Sequence, residues 1–84
     1  MTRYTVVWHQ GAQDQLAELW LEGPDRSDIS AAANAIDIRL AKVPETSGIA
    51  VQSGLRLLII WPLRVLFTVS EPDRMVRVVH VARS

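Results

Sequence analysis

The spacing of apolar residues changes early in the chain, and the change predicts a short strand followed by a helix. Aromatic and β-branched residues from Tyr4 to Trp8 favour a strand. From Ala12 onward the apolar residues recur at helical spacing, and this helix ends at Gly23-Pro24 because proline lacks an amide proton. The predicted apolar face of the helix consists of Ala12, Leu16, Leu19 and Trp20.

A second helix is predicted up to Val43, immediately before Pro44. Either Asp25 or Ser27 can cap its first turn, because both side chains accept hydrogen bonds from free backbone amides. About four residues join the two helices, so we expect an antiparallel helical hairpin. The predicted apolar face of this helix consists of Ile29, Ala33, Ile36 and Leu40.

The second half of the chain predicts three strands after a polar loop at 45–54, in which Ser47-Gly48 and Ser53-Gly54 interrupt any regular pattern. The predicted order is β-α-α-β-β-β in a single α+β domain over residues 1–84. We expect a small, twisted, mostly antiparallel sheet with the helical hairpin packed on one face. The predicted strands and turns are Leu55–Trp61, the turn Pro62-Leu63, Arg64–Ser70, the turn Glu71–Arg74, and Met75–Val81.

Alternation along these strands predicts which side chains face the hairpin. We expect Phe67 to pack against the helices and Arg64 to lie on the more open side of the sheet. On the last strand, strict alternation places His80 and Arg77 on opposite faces of the sheet. It also places His80 on a different face from Arg64.

Composition narrows the chemistry that the chain can support. The 84 residues suffice for one domain with one small core. The chain has no cysteine, and its two histidines, His9 and His80, lie far apart with no other ligand pattern, so we expect neither a metal nor a cofactor. The longest apolar stretch is too short and too charged to span a bilayer, and no secretory signal precedes the first strand. We therefore expect a cytoplasmic protein with no membrane partner.

Charge is unevenly distributed although the net charge is zero. Residues 1–45 hold four basic and seven acidic side chains, a balance of −3. Residues 46–84 hold five basic and two acidic side chains, a balance of +3. An anionic partner would therefore meet the second half of the chain.

Several short motifs occur in this order of elements, and together they resemble a known family. They are Tyr4-x-Val6-x-Trp8, Ala17-x-x-Trp20, Ile36-Asp37-x-x-Leu40, Pro44, Gly54-Leu55-Arg56, Pro62-Leu63-Arg64-Val65-Leu66-Phe67-x-Val69 and Val76-x-Val78-x-x-Val81. With them the chain resembles the RelE/ParE superfamily of toxins from type II toxin–antitoxin systems. The resemblance covers nearly the whole chain.

The resemblance implies a small bacterial toxin that a cognate antitoxin neutralises in a hetero-oligomer. RelE-like toxins cleave mRNA in the ribosomal A site, whereas ParE-like toxins poison DNA gyrase. By resemblance, Arg64 occupies the position of an arginine used near the scissile phosphate, and Arg83 lies close to a basic residue that follows the last strand. The chain departs from the nuclease pattern in having a single lysine, Lys42, and zero net charge. Three alternatives therefore stay open: a metal-independent, ribosome-dependent mRNA endoribonuclease, a gyrase poison, and a non-catalytic fold that only binds its antitoxin.

Candidate residues follow from the chemistry of RNA cleavage, which needs a base, a stabiliser of phosphate charge and an acid. Arginine suits the stabilising role because its guanidinium is planar and permanently charged, but it is a poor base. Histidine titrates near neutral pH and can supply acid–base chemistry. An aromatic residue beside an arginine, such as Trp61, can stack on a base or anchor an antitoxin segment. The predicted catalytic residues are Arg64, Arg56 and Arg77, and the predicted target-binding residues are Arg83, Trp61 and His80.

Overall fold

In the part of the chain that the structure describes there are two α-helices and five strands, which confirm the predicted α+β class. The computed structural model describes residues 3–52 and 54–84. The elements are β1 (Thr5–Trp8), α1 (Gln10–Glu22), α2 (Arg26–Lys42), a 3-10 turn at Pro44–Thr46, β2 (Ile49–Gln52), β3 (Leu55–Ile60), β4 (Leu63–Ser70) and β5 (Met75–Arg83).

The five strands form one sheet in the order β1-β5-β4-β3-β2. The pairs β2-β3, β3-β4 and β4-β5 are antiparallel, whereas β1 pairs in parallel with β5. A parallel pair requires a crossover connection, and the helical hairpin between β1 and the rest of the sheet provides most of it.

Strand β2 corrects the prediction of a loop throughout 45–54. Ile49 pairs with Leu57 and Ala50 with Arg56, so a short apolar run extends the sheet by one edge strand. Gly48 immediately precedes this strand at φ +67°, and a Cβ there would collide with the Leu57 carbonyl. A run of three apolar residues between glycines is too short to give a periodic signal. Ser53, which belongs to the predicted loop, lies outside the described residues.

The core lies between the hairpin and one face of the sheet, as the sequence predicts. Ile29, Ile36 and Leu40 of α2 and Phe67 of β4 are fully buried. Trp20, by contrast, belongs to the predicted apolar face of α1 and yet is 39% exposed. Its indole donates a hydrogen bond to Ser30 Oγ across the hairpin, at 3.1 Å.

A β-bulge at Val79 overturns the strict alternation predicted for the last strand. Phe67 pairs with Val78, but the preceding residue, Leu66, pairs with His80, so Val79 is an extra residue in β5. The extra residue exchanges the two faces for everything that follows it. Val81 is consequently buried, and His80 lies on the same face as Leu66.

Candidate functional site

The sheet face that points away from the helices carries the candidate site, which we call the open face. Arg64 pairs with Ala82, and Arg77 pairs with Thr68. Between these two pairs His80 lies opposite Leu66. Residues that oppose one another in a ladder share a face, so the open face brings Arg64, His80 and Arg77 together.

All three of these side chains are exposed to solvent. Arg64 is a diagonal cross-strand neighbour of His80, which ladder geometry places about 7–8 Å away, and Arg77 precedes His80 on the same strand. Within residues 3–52 and 54–84, neither Arg64 nor Arg77 forms an ion pair. Their guanidinium groups are therefore available to an anion.

His80 makes one hydrogen bond to helix α1. Gln15 places its amide nitrogen 3.1 Å from His80 Nδ1. The amide oxygen of the same side chain accepts the backbone N–H of Val81 at 3.0 Å. No local signal in the sequence marks this contact, because Gln15 and His80 are 65 positions apart.

Apolar residues surround the charged ones on the open face. Ile59 opposes Arg64 and is 54% exposed, while Ile49 opposes Leu57 and is 63% exposed. Trp61, at the turn between β3 and β4, is 70% exposed. An open face of this kind offers both cationic and apolar contacts to a partner.

Arg56 and Arg83 lie on the opposite side of the sheet from Arg64. Arg56 opposes the buried Phe67 and donates hydrogen bonds to the Ser47 carbonyl at 3.1 Å and the Gly48 carbonyl at 3.2 Å. It therefore holds the segment that leads into β2.

Arg83 opposes the buried Leu63 and forms an ion pair with Asp25 at 2.6 Å. The Arg83 guanidinium lowers the pKa of the Asp25 carboxyl, although partial burial opposes that shift. Asp25 precedes α2 but makes no capping hydrogen bond through its side chain, so its predicted capping role is wrong. A side chain at Gly23 would lie 2.7 Å from Arg83 Nη2, so glycine leaves room for this pair.

A groove of about 1000 Å³ between the two helices and β1 is a second candidate surface. Its floor is mainly apolar, and the Trp8 indole on its wall donates a hydrogen bond to Asp37 Oδ1 at 2.7 Å. The two helices carry five acidic residues against three basic ones. The groove is lined in part by Trp8, Leu16, Trp20, Leu21, Ala33 and Asp37.

Tyr4 joins three separate segments through its hydroxyl, a contact that the sequence did not suggest. The hydroxyl oxygen is 2.5 Å from Glu71 Oε2 and 2.7 Å from Glu45 Oε1, and the ring packs under the Arg74 guanidinium. Hydrogen bonds to the two carboxylates raise the pKa of Tyr4. The neighbouring Glu45 carboxyl group and the hydrogen bond from Tyr4 both lower the pKa of Glu71.

Among residues 3–52 and 54–84, no three histidine, aspartate or glutamate side chains cluster in a way that could hold a metal ion. No helix in this part of the chain combines the length and the apolar character needed to cross a membrane.

Similarity to known proteins is found at the level of the fold and not of the sequence. The sequence matches no model of a protein family, and no significant relative was found among curated proteins. Solved structures, however, show the same architecture over nearly the full length of the chain, and several of them belong to toxin–antitoxin systems.

The RelBE2 toxin–antitoxin complex from Mycobacterium tuberculosis contains a chain with 20% identity and a TM-score of 0.82, covering 100% of this chain and 94% of that one. A chain of the chromosomal ParDE system from P. aeruginosa has 16% identity and a TM-score of 0.65, with 95% of each chain covered. The archaeal RelE–RelB complex from Pyrococcus horikoshii gives 18% identity and a TM-score of 0.61, with 99% and 96% covered. The chain therefore has the RelE/ParE toxin fold, which confirms the structural expectation of the resemblance.

Proposed function

We propose that this protein is the toxin of a type II toxin–antitoxin system and acts as a ribosome-dependent mRNA endoribonuclease. The observation that carries the proposal is the bulge at Val79, which brings His80 onto the open face beside Arg64 and Arg77. Two permanently charged groups and one imidazole on a solvent-exposed sheet suit the binding of an RNA phosphate. The fold shared with RelE chains from two toxin–antitoxin complexes supports the same function.

The roles follow from the chemistry of the three side chains. Arg64 and Arg77 would stabilise the charge that develops on the phosphate as the 2′-hydroxyl attacks it. Two other arginines would support the fold. Arg56 donates hydrogen bonds to backbone carbonyls, and Arg83 forms an ion pair with Asp25. Trp61 would contact the target or the antitoxin through its exposed indole.

Gyrase poisoning is the second candidate, and one specific observation favours it. The ParDE chain shares the fold with a TM-score of 0.65. Among the described residues of the open-face strands, His80 is the one side chain suited to acid–base chemistry near neutral pH. A protein that inhibits by binding needs the exposed cations and apolar residues of this face but no proton-transfer groups.

The proposed partner in the resting state is a cognate antitoxin that covers the apolar groove and the open face. An amphipathic segment would bury the exposed parts of Trp20 and Leu21 in the groove and of Ile59 on the sheet. The acidic balance of the two helices favours basic residues along the polar side of that segment.

Primer extension on mRNA in a bacterial translation extract tests the nuclease function. We expect ribosome-dependent cuts with the wild-type protein and their loss with Arg64→Ala or Arg77→Ala, because each change removes a phosphate contact. Arg39→Ala is the matched control, since Arg39 is an exposed arginine on α2, away from the open face. Absence of cuts with the wild-type protein contradicts the nuclease function, and a gyrase–DNA cleavage assay then tests the second candidate.

A further inference from the structure

The contact between α1 and the edge of β5 determines which nitrogen of His80 carries a proton. Strand β1 pairs with β5 only up to Val78, so the edge of β5 beyond that point faces α1. There Gln15 makes both of its hydrogen bonds, one to the Val81 backbone and one to the His80 ring.

The orientation of the Gln15 amide is unambiguous because a backbone N–H can only donate. The Val81 N–H must therefore meet the amide oxygen, and the amide nitrogen, itself a donor, must face His80 Nδ1. Nδ1 accepts that hydrogen bond and carries no proton. In the neutral ring the proton is then on Nε2.

We infer that Gln15 is a positioning residue which makes His80 a neutral hydrogen-bond donor, through Nε2–H, to a phosphate oxygen of single-stranded RNA on the open face. Among the described residues nothing forms a hydrogen bond with Nε2, and the His80 side chain is exposed. Arg64 and Arg77 lie on the two sides of His80 along the same face, so two cationic groups flank the Nε2–H donor. The nature of the ligand rests on the proposed function, whereas the state of the ring does not.

This assignment limits what His80 can do in a reaction. A ring nitrogen that already carries a proton cannot take one from a 2′-hydroxyl, so neutral His80 binds phosphate through Nε2 and is not the general base. Cleavage would then need a base other than His80.

Nitrogen-15 NMR of the isotopically labelled protein, at a pH where histidine is neutral, tests the inference directly. We expect the wild-type His80 to show a protonated Nε2 and an unprotonated Nδ1. Gln15→Glu replaces the amide donor with a carboxylate acceptor, so the protonated signal should move to Nδ1. Gln10→Glu introduces the same charge on the same helix at a distance from His80 and should leave the wild-type pattern.

A protonated Nδ1 in the wild-type protein overturns the inference, and this measurement needs no variant to fold. An unchanged pattern in a folded Gln15→Glu variant overturns it as well. Because NMR reports the ring and not cleavage, the expected pattern combined with an absence of mRNA cuts would reject the proposed function alone.

Binding of a short 2′-O-methyl RNA oligonucleotide, which the 2′-hydroxyl reaction cannot cleave, tests the ligand. We expect Gln15→Glu to weaken binding about tenfold more than Gln10→Glu does, the equivalent of one hydrogen bond to a charged group. Equal affinities of the two variants, or no binding by the wild-type protein, overturn the assignment of RNA phosphate as the ligand.

Discussion

The arginines of the sheet divide by the face on which they lie. Arg64 and Arg77 project from the open face, where they are exposed, whereas Arg56 and Arg83 lie on the helix side and bind groups of the protein itself. A guanidinium that donates to backbone carbonyls stabilises the fold, while one without an ion pair can hold an anion. The same residue type therefore serves two purposes within three adjacent strands.

Replacing Arg56 should affect stability and not target binding. Arg56→Met removes two hydrogen bonds to the Ser47 and Gly48 carbonyls while keeping much of the aliphatic chain, so we expect the free energy of unfolding to fall by about 1–3 kcal/mol. Chemical denaturation measures the change. Arg64→Met is the matched control and should shift the free energy of unfolding by no more than about 0.5 kcal/mol. Equal losses in the two variants would contradict the division of roles between the two faces.

At the scale of the element, the course of strand β5 determines which of its side chains lie on the open face. Its first half alternates between the core and the open face, and the extra residue at Val79 resets the alternation so that Val81 again enters the core. If Val79 were paired as an ordinary strand residue, His80 would point toward the hairpin. Bulges near functional sites commonly redirect a side chain in this way.

Deleting Val79 should leave a regular strand with its faces unchanged. His80 would follow Val78 directly and would still oppose Leu66, so we expect the Tm to stay within about 4 °C of the wild-type value. Thermal unfolding followed by circular dichroism measures this. Deletion of Ala82 is the control, because it moves Arg83 to the open face, breaks its pair with Asp25 and should lower the Tm. A large loss of stability on deleting Val79 would show that the bulge itself supports the fold.

At the scale of the whole molecule, two charged clusters tie distant segments together. Tyr4 joins the start of the chain to the 3-10 turn through Glu45 and to the β4–β5 turn through Glu71. Arg83 joins the end of the chain to the start of α2 through Asp25. Both termini of the domain are thus held by groups that titrate.

Stability should consequently fall at both extremes of pH. The pKa values of Asp25 and Glu71 are lowered from ordinary values of 3.8 and 4.5, so their stabilisation is complete above those values and is lost as the pH falls through the lower folded-state values. The pKa of Tyr4 is raised from 10.0, so its contribution is complete below pH 10.0 and is lost as the pH rises further. Urea midpoints measured from acid to alkaline pH test both effects.

Matched variants separate the acid and alkaline effects. Tyr4→Phe should abolish most of the alkaline decline, because phenylalanine has no hydroxyl to ionise. Asp25→Asn should reduce the acid decline while leaving the alkaline one. An alkaline decline that persists in Tyr4→Phe would assign it to another group.

Much of the fold could be predicted from the sequence, because the spacing of apolar residues within one helix or strand indicates which of its sides is buried. The helical spacing of Ile29, Ile36 and Leu40 and the alternation around Phe67 each identified core positions that the structure confirms as buried. The same reasoning placed Arg64 on the exposed face of its strand, where the structure also has it. Each of these signals lies within a single element.

What only the tertiary structure decided depends on pairing between elements. Strand β2 exists because β3 offers it a hydrogen-bonding edge, and the bulge at Val79 is visible only in the register of β4 against β5. That register also decides whether an arginine donates to a backbone carbonyl, as Arg56 does, or is exposed to solvent. The sequence by itself therefore determined the elements and their buried sides. The site was decided by cross-strand register and by contacts between distant residues, such as Gln15 and His80. Such contacts leave no local pattern in the sequence.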